Sequence, residues 1–254
     1  MKVCAVIPAA GRGTRLGVDV PKILVPMVPG CTIWDVLKRK LWAVVDHIHV
    51  VLSPSGLPQF EAILGSDADR ASVSTGVQET PTGMGDAVFS GVPVWEKADD
   101  LLVIWSDQVH VSAQTLGDCL RAHAAGNKPR LTLPVVSMPE PYVEYRFDDR
   151  GCLLRVLQSR EGDQCAPGGY GDVGVFLLST AGLPRLWDEY CAITQPGTAT
   201  GERNFLPFLV YLSSQGWEVG RVAVTDPNEA RGINTPEDLA FFQSLYSGEG
   251  APPR

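Results

Sequence analysis

The stretch Val3-Cys4-Ala5-Val6-Ile7-Pro8-Ala9-Ala10-Gly11-Arg12-Gly13-Thr14-Arg15-Leu16-Gly17, followed by Pro21-Lys22, decides the reading of this chain. Residues 3–7 form a short apolar run of the kind that fills a strand buried on both faces. The run stops at Pro8 and gives way to small residues and glycines, which let a backbone approach a ligand closely and adopt positive φ. A turn of this kind after a strand exposes successive N–H groups that cradle phosphate. Arg15 and Lys22 add positive charge at two separate points, and an arginine can fork onto two oxygens. Two other glycine patterns do not fit. The dinucleotide pattern G-x-G-x-x-G needs a glycine where the chain has Leu16, and G-x-x-x-x-G-K-[ST] has no match here.

Outward from this stretch, apolar runs at residues 3–7, 48–52, 101–105, 131–136, 173–178 and 219–224 read as buried strands. Helical patterns lie between them. Ile33, Leu37, Leu41 and Val44 recur at helical spacing behind Thr32, a capping residue with Asp35 three positions on. A second pattern follows Gly85 through Ala87, Val88 and Val92. A third opens at Thr235, with Pro236 suited to the first helical position and Glu237 and Asp238 favoured by the helix dipole. This alternation predicts an α/β fold: a Rossmann-like, mostly parallel sheet with helices on both faces. Ligands then bind beyond the C-terminal strand ends, so the residues after Ile7, Leu52, Trp105 and Val224 are the ones to inspect. There is no internal repeat and no clear linker. The expected organisation is one domain over residues 1–246 and a frayed tail over 247–254.

The chain has 254 residues, 44% of them hydrophobic, enough for a sizeable core, and a formal net charge of −8. That balance argues against a duplex nucleic-acid partner, which needs a basic stripe, but not against a nucleotide held by a few local cations and amides. Six cysteines show no C-x-x-C pair and no regular spacing, so free thiols in a cytoplasmic protein are the expectation. The N-terminus enters its first strand too quickly for a signal peptide, and no apolar run is long enough to span a bilayer, so no membrane partner is expected.

The segment from Ala9 to Lys22 resembles the signature of the sugar-nucleotide pyrophosphorylases, the sugar-1-phosphate nucleotidylyltransferases: a run of small residues, G-x-G-T-R, a short variable stretch, then P-K. It is most similar to the uridylyltransferase domains that make UDP-N-acetylglucosamine. The resemblance implies a nucleotide-diphospho-sugar transferase fold and a triphosphate wrapped by Ala9, Ala10, Gly11, Gly13 and Thr14. It implies that Arg15 stabilises the leaving pyrophosphate and that Lys22 contacts phosphate near the reacting centre. Residues 78–87 resemble the family's second nucleotide segment, in which Gln78 reads a pyrimidine edge and Gly83 and Gly85 form the turn beneath the nucleoside. Pro81, Met84 and Asp86 depart from the usual residues there and leave the choice of base open. The strand ending at Asp107 resembles the family's metal-binding strand end, with Ser106 in place of a glycine. The closing segment Gly232-Ile233-Asn234-Thr235-Pro236 resembles the one whose asparagine or aspartate completes the site. Asp107 and Asn234 are thus the implied Mg²⁺ ligands, with Asp226 a weaker extra candidate.

The acceptor side departs further. Tyr145 stands where the family has a glycine, in a loop with Arg146 and Phe147 that closes over the sugar. Gln158 replaces a glutamate, Asp172 replaces an asparagine, and Asn204 lies in a motif kept only at its start. Changes gathered on one side suggest the same reaction on a different phosphate or phosphonate acceptor. The expected partners are a nucleoside triphosphate, UTP first, and a small phosphorylated substrate such as a sugar 1-phosphate. Cytidylyl transfer to a phosphonate or alcohol phosphate is the alternative enzyme, and a non-catalytic nucleotide-sugar sensor the alternative of another class. No left-handed β-helix repeat follows, so no acetyltransferase half is expected.

Overall fold

In the computed structural model, residues 1–11, 16–17, 20–65, 67–125, 129–198 and 200–248 are described. Strand β1 (Val3–Ala9) leads past a small hairpin, β2 (Pro26–Val28) and β3 (Cys31–Thr32), into helix α1 (Ile33–Leu41). There follow β4 (His47–Leu52), α2 (Gly56–Leu64), β5 (Val73–Val77), α3 (Met84–Ser90), α4 (Val92–Trp95), β6 (Asp100–Ile104) and α5 (Ala113–His123). The second half holds β7 (Leu131–Ser137), β8 (Val143–Phe147), β9 (Leu153–Gln158), β10 (Tyr170–Asp172) and β11 (Val175–Ser179). It ends with α6 (Leu183–Ile193), α7 (Leu206–Ser214), β12 (Val219–Val224) and α8 (Pro236–Gly248).

The sheet is mixed, with strand order β5-β4-β1-β6-β11-β7-β10-β8-β9 and β12 paired to β7. Its first half is the expected parallel one: β4 pairs in parallel with β5 and β1, and β1 with β6. β11 then runs against both β6 and β7. β7 pairs in parallel with β12 along one edge. Its other edge is shared by β11, at Leu131 and Thr132, and β10, at Val135, Val136 and Ser137. From there β10, β8 and β9 continue as an antiparallel flap.

Strand alternation explains why both faces need cover. Val3, Ala5, Ile7 and Ala9 of β1 point into one core with Ile33, Trp34, Phe60 and Phe242. Cys4 and Val6 point into the other with Trp95, Phe176, Phe205 and Phe208. Both helix caps read from the sequence, at Thr32 and Thr235, are present. Thr32 accepts from the Asp35 N–H while the Asp35 carboxylate accepts from the Thr32 N–H. At α8, Thr235 Oγ1 accepts from the Asp238 N–H and the Asp238 carboxylate accepts from the Thr235 N–H. α8 runs on to Gly248, so Ser247 and Gly248 belong to its last turn; residues 249–254 lie outside the described residues. No helix among the described residues is long and apolar enough to cross a membrane.

Candidate active site

The C-terminal ends of β1 and β6 open into a cavity of about 860 Å³, a size that suits a nucleotide or a drug-sized ligand. Three residues from distant parts of the chain meet on its wall. Lys22, in a 3-10 turn after the glycine loop, places Nζ 3.1 Å from Asp107 Oδ2 and 3.3 Å from Asn234 Oδ1. The Lys22 and Asp107 side chains are 17% and 18% exposed, so solvent still screens part of their attraction. Asp107 follows β6, and its carbonyl accepts from the Ile233 N–H at 3.1 Å, which ties the segment leading to α8 against the strand end. Asp238 Oδ2 accepts from the Asn234 N–H at 3.0 Å, and Asp238 Oδ1 from Arg231 Nε at 2.9 Å. These donors hold the Asp238 carboxyl below its usual range despite its burial. Gly232 leaves the space: a Cβ there would lie 3.0 Å from Asp107 Cγ and 3.2 Å from Asn234 Nδ2.

Two hard oxygens, Asp107 Oδ2 and Asn234 Oδ1, thus converge on a single cationic group. That donor set fits Mg²⁺, which takes one or two protein oxygens and completes its shell with phosphate and water. Among the described residues no group of three or more His, Cys, Asp or Glu is placed to hold a metal by itself. Asp226 is engaged elsewhere: it accepts from the Asn228 backbone and side-chain amides at 2.9 Å and pairs with His110 at 3.3 Å.

Of the residues expected at the nucleotide, Ala10, Gly11, Gln78 and Gly83 line the cavity, while Ala9 ends β1 as a buried core residue. Gly13, Thr14 and Arg15 lie outside the described residues. Gln78 Nε2 donates to the Gly83 carbonyl at 2.9 Å, closing its own loop. Gly83 has φ of +124°, and a Cβ on it would lie 2.6 Å from the Arg203 carbonyl oxygen. Gly85 is set back from the cavity. A Cβ there would come within 2.2 Å of the Trp187 ring, so its bareness serves helix packing.

The acceptor-side residues divide. Gln158 and Asp172 line the cavity; Tyr145 and Asn204 do not. Tyr145 is in strand β8, where alternation turns its ring into the core, and its hydroxyl donates to Asp172 Oδ1 at 2.8 Å. Arg146 points the other way, onto Glu144 at 2.9 Å, and the expected sugar-covering loop is a strand. Burial raises the Asp172 carboxyl above its usual range, and the charge of Asp107 adds to this, while the Gly174 N–H, Tyr145 and Trp105 oppose it. The Tyr145 phenol is pushed well up by burial and by Asp172, and stays a donor. Asn204 sits behind the rim, donating to Glu161 Oε1 at 2.9 Å and accepting from Arg160, whose side chain does reach the cavity. The sequence reading missed Trp105, Gln108, Met138, Tyr142 and Arg231 as lining residues. Trp105, Gln108 and Arg231 lie beside motifs that the sequence marks, Ser106-Asp107 and Gly232-Ile233-Asn234, but no pattern of their own sets them apart.

Comparison with known proteins gives the family and the fold. Residues 5–166, more than half of the chain, match the MobA-like NTP transferase domain. The bifunctional protein GlmU of Acidithiobacillus ferrooxidans, in two strains, is 28% identical over 248 residues, covering 95% of this chain and 51% of the relative. The chain therefore spans about half the length of the curated relatives it matches. A Bacillus anthracis crystal structure, assigned as a glucose-1-phosphate thymidylyltransferase in complex with sucrose, superposes with a TM-score of 0.72. It shares 16% identity, covering 96% of this chain and 94% of that one, and so shares the fold. The chain belongs to the MobA-like NTP transferase domain family and is built on the nucleotide-diphospho-sugar transferase fold.

Proposed function

We propose that the chain transfers a nucleoside monophosphate from a nucleoside triphosphate, UTP first, to a sugar 1-phosphate and releases pyrophosphate. The observation that carries this reading is the meeting of Lys22, Asp107 and Asn234 on one wall of the cavity. An oxygen of the acceptor phosphate attacks the α-phosphorus; its P–O bond forms as the bond to pyrophosphate breaks on the opposite side. The acceptor is already an anion, so no base and no covalent enzyme intermediate are needed. Catalysis rests on positioning and charge stabilisation. Asp107 and Asn234 would hold Mg²⁺, which would supply neutralisation of phosphate charge there. Lys22 steadies the crowded oxygens around the α-phosphorus, and Arg15 holds the departing pyrophosphate. Ala10 and Gly11 belong to the phosphate loop, and Gln78 reads the base edge with an amide that both donates and accepts. Gln158 and Asp172 face the acceptor.

The test is pyrophosphate release with Mg²⁺, with UTP, dTTP, CTP, GTP and ATP each set against a panel of sugar 1-phosphates. Release with one pair, and its loss in a folded Asp107→Ala variant, is the expected result. Wild-type turnover in that variant would remove the metal assignment. Tight nucleotide-sugar binding without any release would replace the enzyme with a sensor.

A further inference from the structure

Among the described residues, three cations line the cavity: Lys22, Arg160 and Arg231. Two of them bring a counter-ion into it. Lys22 pairs with Asp107 at 3.1 Å and Arg160 with Glu202 at 3.6 Å, and both carboxylates line the cavity as well. Arg231 differs. Its partner, Asp238, lies in the first turn of α8 and is not a lining residue. Arg231 therefore brings its positive charge to the cavity while its neutralising carboxylate stays outside.

The guanidinium is held in a fixed pose. Its Nε donates to Asp238 Oδ1 at 2.9 Å, and its Cζ lies 4.2 Å from the centre of the Phe241 ring. Asp238 is itself pinned. Its other oxygen, Oδ2, accepts from the Asn234 N–H at 3.0 Å, the Thr235 N–H at 3.0 Å and Thr235 Oγ1 at 3.2 Å. One carboxylate thus seats Arg231 and Asn234 together. Only Nε is committed: the two terminal nitrogens of Arg231 make no hydrogen bond among the described residues. The side chain is 37% exposed, so a ligand in the cavity can reach them.

The chemistry of such a group selects its ligand. Two terminal nitrogens in one plane form a fork that matches two oxygens of a phosphate. Holding a long side chain still costs rotamer entropy, and Asp238 and Phe241 have already taken up that cost before any ligand arrives. A neutral ligand would make no use of the charge.

The geometry points to Arg231 as a further phosphate-binding residue, a fixed guanidinium beside Asn234 that lies outside the motif segments. The inference rests on the nucleotidyl-transfer reading only for the source of the phosphate, the triphosphate or its phosphorylated co-substrate.

The experiment is calorimetric binding with Mg²⁺ to the wild type, Arg231→Gln and Arg231→Lys. The phosphate-bearing probes are a non-hydrolysable UTP analogue, inorganic triphosphate, and glucose 1-phosphate added to the complex with the analogue. Uridine and glucose are their phosphate-free counterparts. Arg231→Gln should weaken at least one phosphate-bearing probe about ten-fold or more, the loss expected when a hydrogen bond to a charged group is removed. Loss on the analogue and on inorganic triphosphate assigns the contact to the triphosphate; loss confined to glucose 1-phosphate assigns it to the co-substrate. Arg231→Lys, which keeps a cation able to pair with Asp238, should recover part of the loss, and the gap between the wild type and Arg231→Gln should narrow as salt is raised. A residue needed only to seat α8 would lower the melting temperature of the free protein and weaken uridine as much as the analogue. That equal loss, unchanged affinity of Arg231→Gln for every phosphate-bearing probe, or no binding of any such probe by the wild type would each overturn the inference. Pyrophosphate release from natural triphosphates keeps the two readings apart. Release by Arg231→Gln at the wild-type KM for both substrates removes the inference and keeps the reaction. Phosphate binding through Arg231 with no release to any acceptor removes the reaction and keeps the inference.

Discussion

Lys22 is the cation shared by Asp107 and Asn234, and the proposed reaction turns on it. Lys22→Ala should lower turnover by roughly 10²–10³-fold, the usual loss when one preorganised charge is removed from a transition state. Its melting curve should move little, because a partly exposed ion pair is worth about 1 kcal/mol or less. A large fall in stability with turnover retained would mark Lys22 as a strut instead. A different residue carries a pH signature. His49, in β4, is buried, and burial, with His47 beside it, lowers its pKa from 6.5 to about 4. The folded state resists protonating a group that the unfolded chain protonates readily, so its contribution is intact above pH 6.5. It is lost progressively between 6.5 and about 4 and is constant below that. The loss amounts to at most about 3 kcal/mol. Chemical denaturation across that window should show the decline, and His49→Asn, which can keep the bond to Ser74, should flatten it. An unchanged slope in the variant would move the effect to another group. Lys22, Asp107 and Asn234 were legible from the chain because each sits in a local motif at a strand end or helix start. Arg231 was not, because only the folded chain gives it the cavity while keeping its counter-ion, Asp238, outside.

Among the elements, the strands that could be read were those buried on both faces, whose apolar runs stand out without context. β5, β8 and β9 escaped because they are half-buried and carry polar residues in alternation, as in Val73-Ser74-Thr75-Gly76-Val77 and Val143-Glu144-Tyr145-Arg146-Phe147. β10 is three residues long and has no pattern to offer. Missing this flap is what turned Tyr145 and Arg146 into loop residues. Gly85 shows the same limit in a helix: its place in a motif suggested ligand contact, and the packing of α3 against α6 gives it another reason to be bare. Gly85→Ala should destabilise the fold by roughly 1–3 kcal/mol, as overpacking does, because the added methyl meets Trp187, whose ring stacks on Phe89 at 4.3 Å. Denaturant melts give the size of the effect. A variant as stable as the wild type would mean that α6 yields easily at that contact.

For the whole molecule, the mixed sheet sets the division of labour. Strand ends of the parallel half and the entry to α8 bring Lys22, Asp107 and Asn234 together, and the flap of reversed strands supplies other lining residues. Ligand binding across that crevice should stabilise the entire chain. At a triphosphate concentration about 100 times its dissociation constant the gain is roughly 2.7 kcal/mol. UTP with Mg²⁺ should raise the melting temperature accordingly, and Asp107→Ala should lose the Mg²⁺-dependent part. Equal stabilisation with and without Mg²⁺ would count against the metal reading. Duplex DNA should give no shift, as the net charge of −8 leaves it little to hold.

The flap formed by β10, β8 and β9 has one more consequence. Met138, Glu140, Tyr142, Val143, Gln158, Arg160 and Asp172 all reach the cavity from a single continuous stretch of chain, residues 138–172. Lys22, Asp107 and Asn234 lie outside it. A single genetic exchange spanning that stretch would swap most of one wall and leave the opposite one as it was. Under the proposed function, recombination over that stretch would change the flap's contacts with the recipient while the wall carrying Lys22, Asp107 and Asn234 stayed as it was.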